Sequence, residues 1–521
     1  MKTIYLINPT PDIPTYFGAE VYAGRGLRPA TLMADLALTT VATLAEPHLR
    51  VVLCDESIDT VDFDIGADYV GITGKVSQRG RMRAIATEFR RRGVTVVIGG
   101  PYASLDPDWV RPHCDILVRG EIEDIAGELF GDLAAGHWHD EYVGERVDLA
   151  RTPAPRWDLY RNDRASMGSV QTSRGCPFEC EFCDVIQYLG RRQRHKPVES
   201  VLAELDVLYN LGYRRVFMAD DNFTAYRARA RELLEAIAQW NNRRTAGRIH
   251  FYTQVSIDVA RDDEMLRLCA AAGLRHVFVG IETPNEESLR EAHKRQNLRI
   301  DLPTQVQRFL DHGIGVTAGM IVGFDADDAG IFARQYEFAM STAIPVFSLG
   351  ALVAPVATPL HARLSAAGRL IADGAEVAAM PWSTNIIPAR MTHAELLAGL
   401  RWLCNKLYAP AAFGERLFRQ IEFIGDTADG SERLAAGPNR SFEVDSLALL
   451  GTLSKLGAAE AEMWGRVRRA LRLHPAATAH VIPTILQYLQ IRYMYERNEV
   501  WMPELARAEA PVFDAGEPVT A

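Results

Sequence analysis

Twice along this chain, short apolar runs of strand character alternate with amphipathic stretches of helical period. That repeated alternation restricts the fold to parallel sheets covered by helices on their faces. In the first part the strand candidates are TIYLINP, LRVVLCD, DYVGITG, VTVVIGGP and CDILVRGE, while ATLMADLALTTVATLAE and RGRMRAIATEFRRRG read as helices. The pattern predicts an α/β, doubly wound, Rossmann-like N-terminal domain over residues 1–140. Ligands of such sheets sit beyond the carboxyl ends of the strands. Those ends are Asn8-Pro9, Asp55-Glu56, Thr73-Gly74, Gly99-Gly100 and Gly120-Glu121. A connector with Pro153 and Pro155 follows, read as a linker over 141–166.

The alternation then restarts with SVQTSRG, RRVFMAD, RIHFYTQVS, RHVFVGIET, GVTAGMIVGF and VFSLGALV, separated by helical stretches. Six such repeats predict a partial (β/α)6 barrel over 167–387, with its chemistry at the strand carboxyl ends. Beyond it, segments such as THAELLAGLRWLCNKLYAP and TAHVIPTILQYLQIRYMYERNEVW have helical period, predicting a C-terminal helical domain over 388–521.

Composition narrows the class. The 57 Lys and Arg against 67 Asp and Glu give a formal charge of −10, which disfavours a nucleic-acid partner. Seven cysteines in 521 residues are too few for a disulfide scaffold, and the odd number suits a reducing compartment. The uncharged run Phe338–Leu360 is broken by Pro345, Pro355 and Pro359, so a transmembrane segment is not expected and a cytoplasmic protein is.

The residues that carry chemistry are in RGCPFECEFCDV, where Cys176, Cys180 and Cys183 form a CxxxCxxC pattern just after the first strand of the second alternation. Thiolates are the natural ligands of iron–sulfur clusters, and three of them leave one iron of a cubane open to a small molecule. A structural zinc site with His195 as fourth ligand is the alternative. Cys54, Cys269 and Cys404 lie in apolar strand or helix contexts and are expected to pack as small hydrophobes. The basic run GRRQRHK is either a solvated face or a grip for a substrate anion, and Tyr188 beside it is a core aromatic or a hydrogen relay.

With Phe182 inside the cysteine motif and the motif on the first loop of a six-fold β/α repeat, the chain resembles the radical S-adenosylmethionine (SAM) enzymes. The resemblance implies a [4Fe–4S] cluster on Cys176, Cys180 and Cys183, whose open iron holds SAM and delivers an electron that releases a 5′-deoxyadenosyl radical. It also implies SAM contacts at Phe182, at Asp220 and Asp221 for the ammonium group, and at Gln254, Ser256 and Glu282 for the ribose. The backbone of GMIVGF, around Val322, would meet the adenine. Asp220-Asp221-Asn222 could instead cap the next helix, Glu282 could be a surface acid, and the glycines of GMIVGF could serve strand packing.

The N-terminal domain is similar to the cobalamin-binding arrangement of one branch of these enzymes, with Thr73, Gly99, Gly100 and Glu121 as implied corrin contacts. No DxHxxG motif is present to supply a lower axial histidine. STNIIPARMTHAELLAGLRWLCNKLYAPAAFGERL resembles the extension found in hopanoid and natural-product methylases, where it would cover the barrel mouth. The implied activity is a cobalamin-dependent methyl transfer to an unactivated carbon of a small-molecule or lipid substrate, with a reductant such as flavodoxin or ferredoxin. The alternatives are radical cyclisation, oxidation or aminocarboxypropyl transfer without methylation, and a non-catalytic metal or cobalamin sensor.

Overall fold

The computed structural model describes residues 1–371, 380–427, 440–511 and 513. The chain divides into two compact units. One is built mainly from Met1–Pro177 and Asp184–Asp220, the other from Phe178–Cys183 and most of the chain after Asp221.

The first unit contains β1 (Thr3–Asn8), β2 (Thr31–Met33), β3 (Arg50–Asp55), β4 (Tyr69–Thr73), β5 (Thr95–Gly99), β6 (Ile116–Arg119), β7 (Glu141–Val143), β8 (Ala165–Val170), β9 (Ser173–Arg174), β10 (Arg194–His195) and β11 (Arg215–Met218). Six of these form a sheet in the order β3-β1-β4-β5-β6-β7, every neighbouring pair parallel. Strand periodicity splits the core in two. Tyr5 and Ile7 pack with Met82, Ile85 and Phe89 of the helix Arg79–Arg91. Ile4 and Leu6 pack on the opposite face with Leu38 and Ala42 of the helix Leu36–Ala45 and Leu129 and Phe130 of the helix Ala126–Ala135. The expected doubly wound domain is therefore present. Its chain reversal lies between β1 and β4, the position where sheets of this order form a ligand crevice.

Two sequence expectations change. The stretch read as one helix from Ala30 is split: Thr31–Met33 pairs in parallel with β8, and the helix starts only after Asp35, whose carboxylate accepts from the Leu38 amide at 2.7 Å. The apolar spacing fits either state, and pairing with a distant strand decides it. The connector is also packed rather than open. Its Glu141–Val143 extends the sheet as β7, and Val147, Leu149, Trp157 and Tyr160 are buried.

Of the six strands expected in the second alternation, β8 and β11 pair in parallel within the first unit. The other four are β12 (His250–Val255), β13 (Leu274–Glu282), β14 (Gly315–Val322) and β15 (Phe347–Ala351), parallel neighbours in the second unit. Each strand is followed by a helical segment, as a partial (β/α)6 barrel requires.

After the barrel the chain is helical, including His393–Tyr408, Pro410–Thr427, Ala458–Leu473 and Thr478–Arg497. The first opens with a capping box between Thr392 and Glu395. Fully buried Arg416 ties the second to the segment leading into β15 by donating to the carbonyls of Ile344 (2.9 Å) and Pro345 (3.1 Å), and to the first helix through the carbonyl of Leu407 (2.8 Å). Burial lowers its pKa to about 10. No described helix is long and apolar enough to cross a membrane.

Candidate functional site

The cysteine loop begins where β9 ends. Gly175 has φ +93, and a Cβ there would lie 2.8 Å from the Arg192 carbonyl oxygen and 2.9 Å from that of Gly190, so only glycine fits. The two-residue antiparallel ladder of β9 and β10 clasps the loop's base, and the Cys176 amide donates to Gly190 O at 3.2 Å. In the second unit, the Cys183 amide donates to Cys180 O at 3.1 Å. All three cysteines are reduced, Cys180 buried and Cys176 and Cys183 half-buried. Zinc ligands must converge to within about 4 Å of one another. Among the described residues, Glu128, Asp132 and His139 form the one group of three metal-binding side chains whose ligand atoms lie within 4.8 Å of one another.

Asp220 lies just past the carboxyl end of β11. It is 1% exposed, and its carboxylate accepts from the Thr172 and Ser173 amides at 2.7 Å each and from the Thr172 hydroxyl. It therefore fixes the turn leading into β9 and the cysteine loop. Asp221 beside it is half-buried. The capping alternative fails, because the next helix starts at Arg227 with Tyr226 at its cap. Instead, Asn222 Nδ2 donates to Ser256 Oγ at 2.6 Å and the Phe223 amide to Gln254 O at 2.9 Å, bracing the carboxyl end of β12.

Glu282 is neither exposed nor free. It closes β13 at a register shift, with φ +65, a conformation that costs a non-glycine residue about 1–3 kcal/mol. Asn297 Nδ2 supports the distortion from the carbonyls of Gly280 (2.9 Å) and Ile281 (3.0 Å). The Glu282 carboxylate pairs at 2.7 Å with Lys294, the two side chains 9% and 13% exposed. The Lys294 ammonium lies 6.0 Å from the Phe182 ring centroid. Burial pulls its pKa down, but Glu282, Cys180 and Cys183 together raise it well above the ordinary lysine value. Gln296 Nε2 donates to Cys180 Sγ at 3.6 Å, while its Oε1 is buried without a hydrogen-bond partner. Lys294, Gln296 and Asn297 escaped the sequence reading; the compact polar run HKRQN after GIET was the available signal.

Phe182 stacks edge-on against Phe324 at 6.2 Å. Val322 is 1% exposed and its carbonyl accepts from the Leu352 amide at 2.7 Å. The following turn is shaped by Asp327, which accepts from the Gly323 (3.0 Å) and Phe324 (3.1 Å) amides.

In the doubly wound sheet, Thr73 and Gly99 are register partners at the ends of β4 and β5. Gly100 has φ +91, and a Cβ on it would fall 2.3 Å from Thr73 Oγ1. These three form one backbone-lined edge. Glu121 does not join it: it is 7% exposed and held by Arg174 (3.1 Å), Arg194 (2.7 Å) and the Val147 amide (3.1 Å). The basic run divides: Arg191 and Arg192 are exposed, whereas Arg194 pairs with Glu121 and buried Lys196 with Glu204 at 2.6 Å. Cys54 and Cys269 are buried with thiol pKa values pushed up by desolvation to about 11 and about 12, and Cys404 is buried too, as packing cysteines should be.

Residues 170–331 match the radical SAM superfamily, and residues 358–497 match a domain of unknown function, DUF4070. The chain is 34% identical over 481 residues to the uncharacterized methyltransferase sll1242 of Synechocystis sp., covering 88% of this chain and 87% of that one. The chain belongs to the radical SAM superfamily. It is also 32% identical to the hopanoid C-2 methylase of Rhodopseudomonas palustris over 66% of each chain. The cobalamin-dependent SAM radical enzyme OxsB shares the fold, with TM-score 0.60, 16% identity, and coverage of 96% of this chain and 80% of that one. As a radical SAM enzyme the protein uses a [4Fe–4S] cluster and SAM, and three reduced thiols on one loop, with Gln296 donating to one of them, fit that cluster.

Proposed function

We propose that the protein is a cobalamin-dependent radical SAM methyltransferase acting on an unactivated carbon of a small-molecule or lipid substrate. The observation that carries this reading is the 34% identity over 481 residues to a protein named a methyltransferase, because that likeness spans the doubly wound sheet, the barrel and the helical extension together. The hopanoid methylase supports a lipid or other apolar substrate, and OxsB, solved with aqua-cobalamin, supports a corrinoid over the β4 and β5 ends.

When bound, the cluster and SAM supply hydrogen-atom abstraction, and the corrinoid supplies the methyl group. The chain's residues do the holding. Cys176, Cys180 and Cys183 hold the cluster, Asp220 fixes the turn ahead of them, and Lys294 places a positive charge beside two of the thiolates. Asp221, Gln254, Ser256 and Phe182 remain the positions for SAM contact, and Thr73, Gly99 and Gly100 present a backbone edge to a flat ligand. We assign corrinoid binding to 1–140, connection to 141–166, radical chemistry to 167–387 and cover of the barrel mouth to 388–521. A flavodoxin or ferredoxin is the proposed reductant. The odd number of cysteines, seven in 521 residues, supports a reducing cytoplasm.

The test is anaerobic reconstitution with iron, sulfide and hydroxocobalamin, followed by SAM labelled in its methyl group and a reductant. Corrinoid absorbance should co-elute with the protein, and labelled methyl should move to the corrinoid with release of S-adenosylhomocysteine. Methylthioadenosine as the sole SAM product, or no bound corrinoid, would reject methyl transfer.

A further inference from the structure

The helix Pro359–Ala366 opens the region of unknown function, and nothing in the family assignment says what it does. Its surroundings do. Glu181 lies between Cys180 and Phe182 in the cysteine loop, and Arg363 of this helix grips its carboxylate with a two-pronged contact at 2.6 and 3.0 Å. The guanidinium is itself held by Asp325 at 2.7 Å, and Arg369 pairs with the same Asp325. The backbone is tied as well: the Leu360 amide donates to Glu181 O at 3.2 Å, and the Glu181 amide to Ala292 O at 3.1 Å. On the apolar side, Leu360 and Leu364 join the cluster against which Phe182 packs.

We infer that this helix is a clamp on the cluster loop, with Arg363 as a positioning residue that holds Cys180 in place for the [4Fe–4S] cluster. The inference rests on the cysteines holding that cluster. A planar fork matches a carboxylate where a point charge does not, so lysine should replace Arg363 only in part. Glu181 is 10% exposed, so losing its partner leaves a carboxylate that must move toward water, carrying the loop with it.

The test compares reconstituted wild type, Arg363→Gln, Arg363→Lys, Glu181→Gln and the Glu181→Gln/Arg363→Gln double variant. The readouts are iron and sulfide per chain and the rate of iron release to a chelator such as bathophenanthroline. Arg363→Gln and Glu181→Gln should each release iron about tenfold faster, the double variant no faster than either, and Arg363→Lys at an intermediate rate. Arg492→Gln, which breaks a buried pair with Glu460 in the helical region, is the control and should lose stability without faster release. Release within twofold of wild type in both single variants, or equal acceleration in the control, overturns the clamp. Wild type that takes up no iron would instead overturn the cysteine assignment.

Discussion

Lys294 offers the sharpest test of the site's electrostatics. Its 2.7 Å contact with Glu282 gives a Coulomb attraction of about 6 kcal/mol at an effective dielectric of about 20. Most of that is spent desolvating two buried charges, so the pair as a whole contributes little net stability. Removing one partner is another matter. Lys294→Met leaves the Glu282 carboxylate buried at a strained backbone position, and should cost about 3–5 kcal/mol. Lys294→Met/Glu282→Gln should recover most of this, because the uncompensated charge is gone. Hydrogen exchange of the β13 and β14 amides measures the cost locally, without assuming that two units unfold together. The same substitution removes positive charge beside Cys180 and Cys183, so the reconstituted cluster should become harder to reduce, by potentiometry with electron paramagnetic resonance detection. A single variant that costs less than about 1 kcal/mol, or a double variant as unstable as the single, would refute the argument.

Further outcomes follow from other buried groups. Asp220→Asn should weaken three charge-assisted contacts to Thr172 and Ser173, lowering stability by about 2–3 kcal/mol and reducing iron retained per chain. Burial and then the nearby Asp35 raise the Asp55 carboxyl from 3.8 to about 6, against hydrogen bonds from Tyr160 and Ser57. The folded first unit therefore favours the proton on Asp55, and the contribution of this group to stability should be greatest below about pH 4 and fall by up to about 3 kcal/mol as pH rises through about 6. Asp55→Asn should flatten that dependence in urea denaturation across the range. Burial depresses His276 to about 4, so this group works in the opposite sense: its neutral form is favoured, and β13 protection should fall as pH drops from about 6.5 toward 4. Glu121→Gln should lower the thermal stability of the first unit while hydroxocobalamin affinity stays within twofold, because its carboxylate is committed to Arg174 and Arg194.

Periodicity made both strand sets legible, since a buried parallel strand needs a continuous apolar run and nothing else in the chain imitates it for long. It misplaced Thr31–Met33, whose strand state depends on hydrogen bonds to Ala165–Met167, far away in sequence. Glu121 and Asp220 were each found at the expected strand ends, and each carboxylate also holds protein partners. Their partners lie 73 and 47 residues distant, and no local pattern announces such pairs.

The linear sequence was sufficient for whatever depends on covalent spacing: three thiols on one short loop after a strand. Only the folded chain decided which charges are already neutralised, that Lys294 and Gln296 reach Cys180's surroundings, and that Arg363 reaches Glu181 from 182 residues away. The reason is that spacing along a chain survives any fold. Ion pairing inside low-dielectric packing instead depends on which distant segments are brought together.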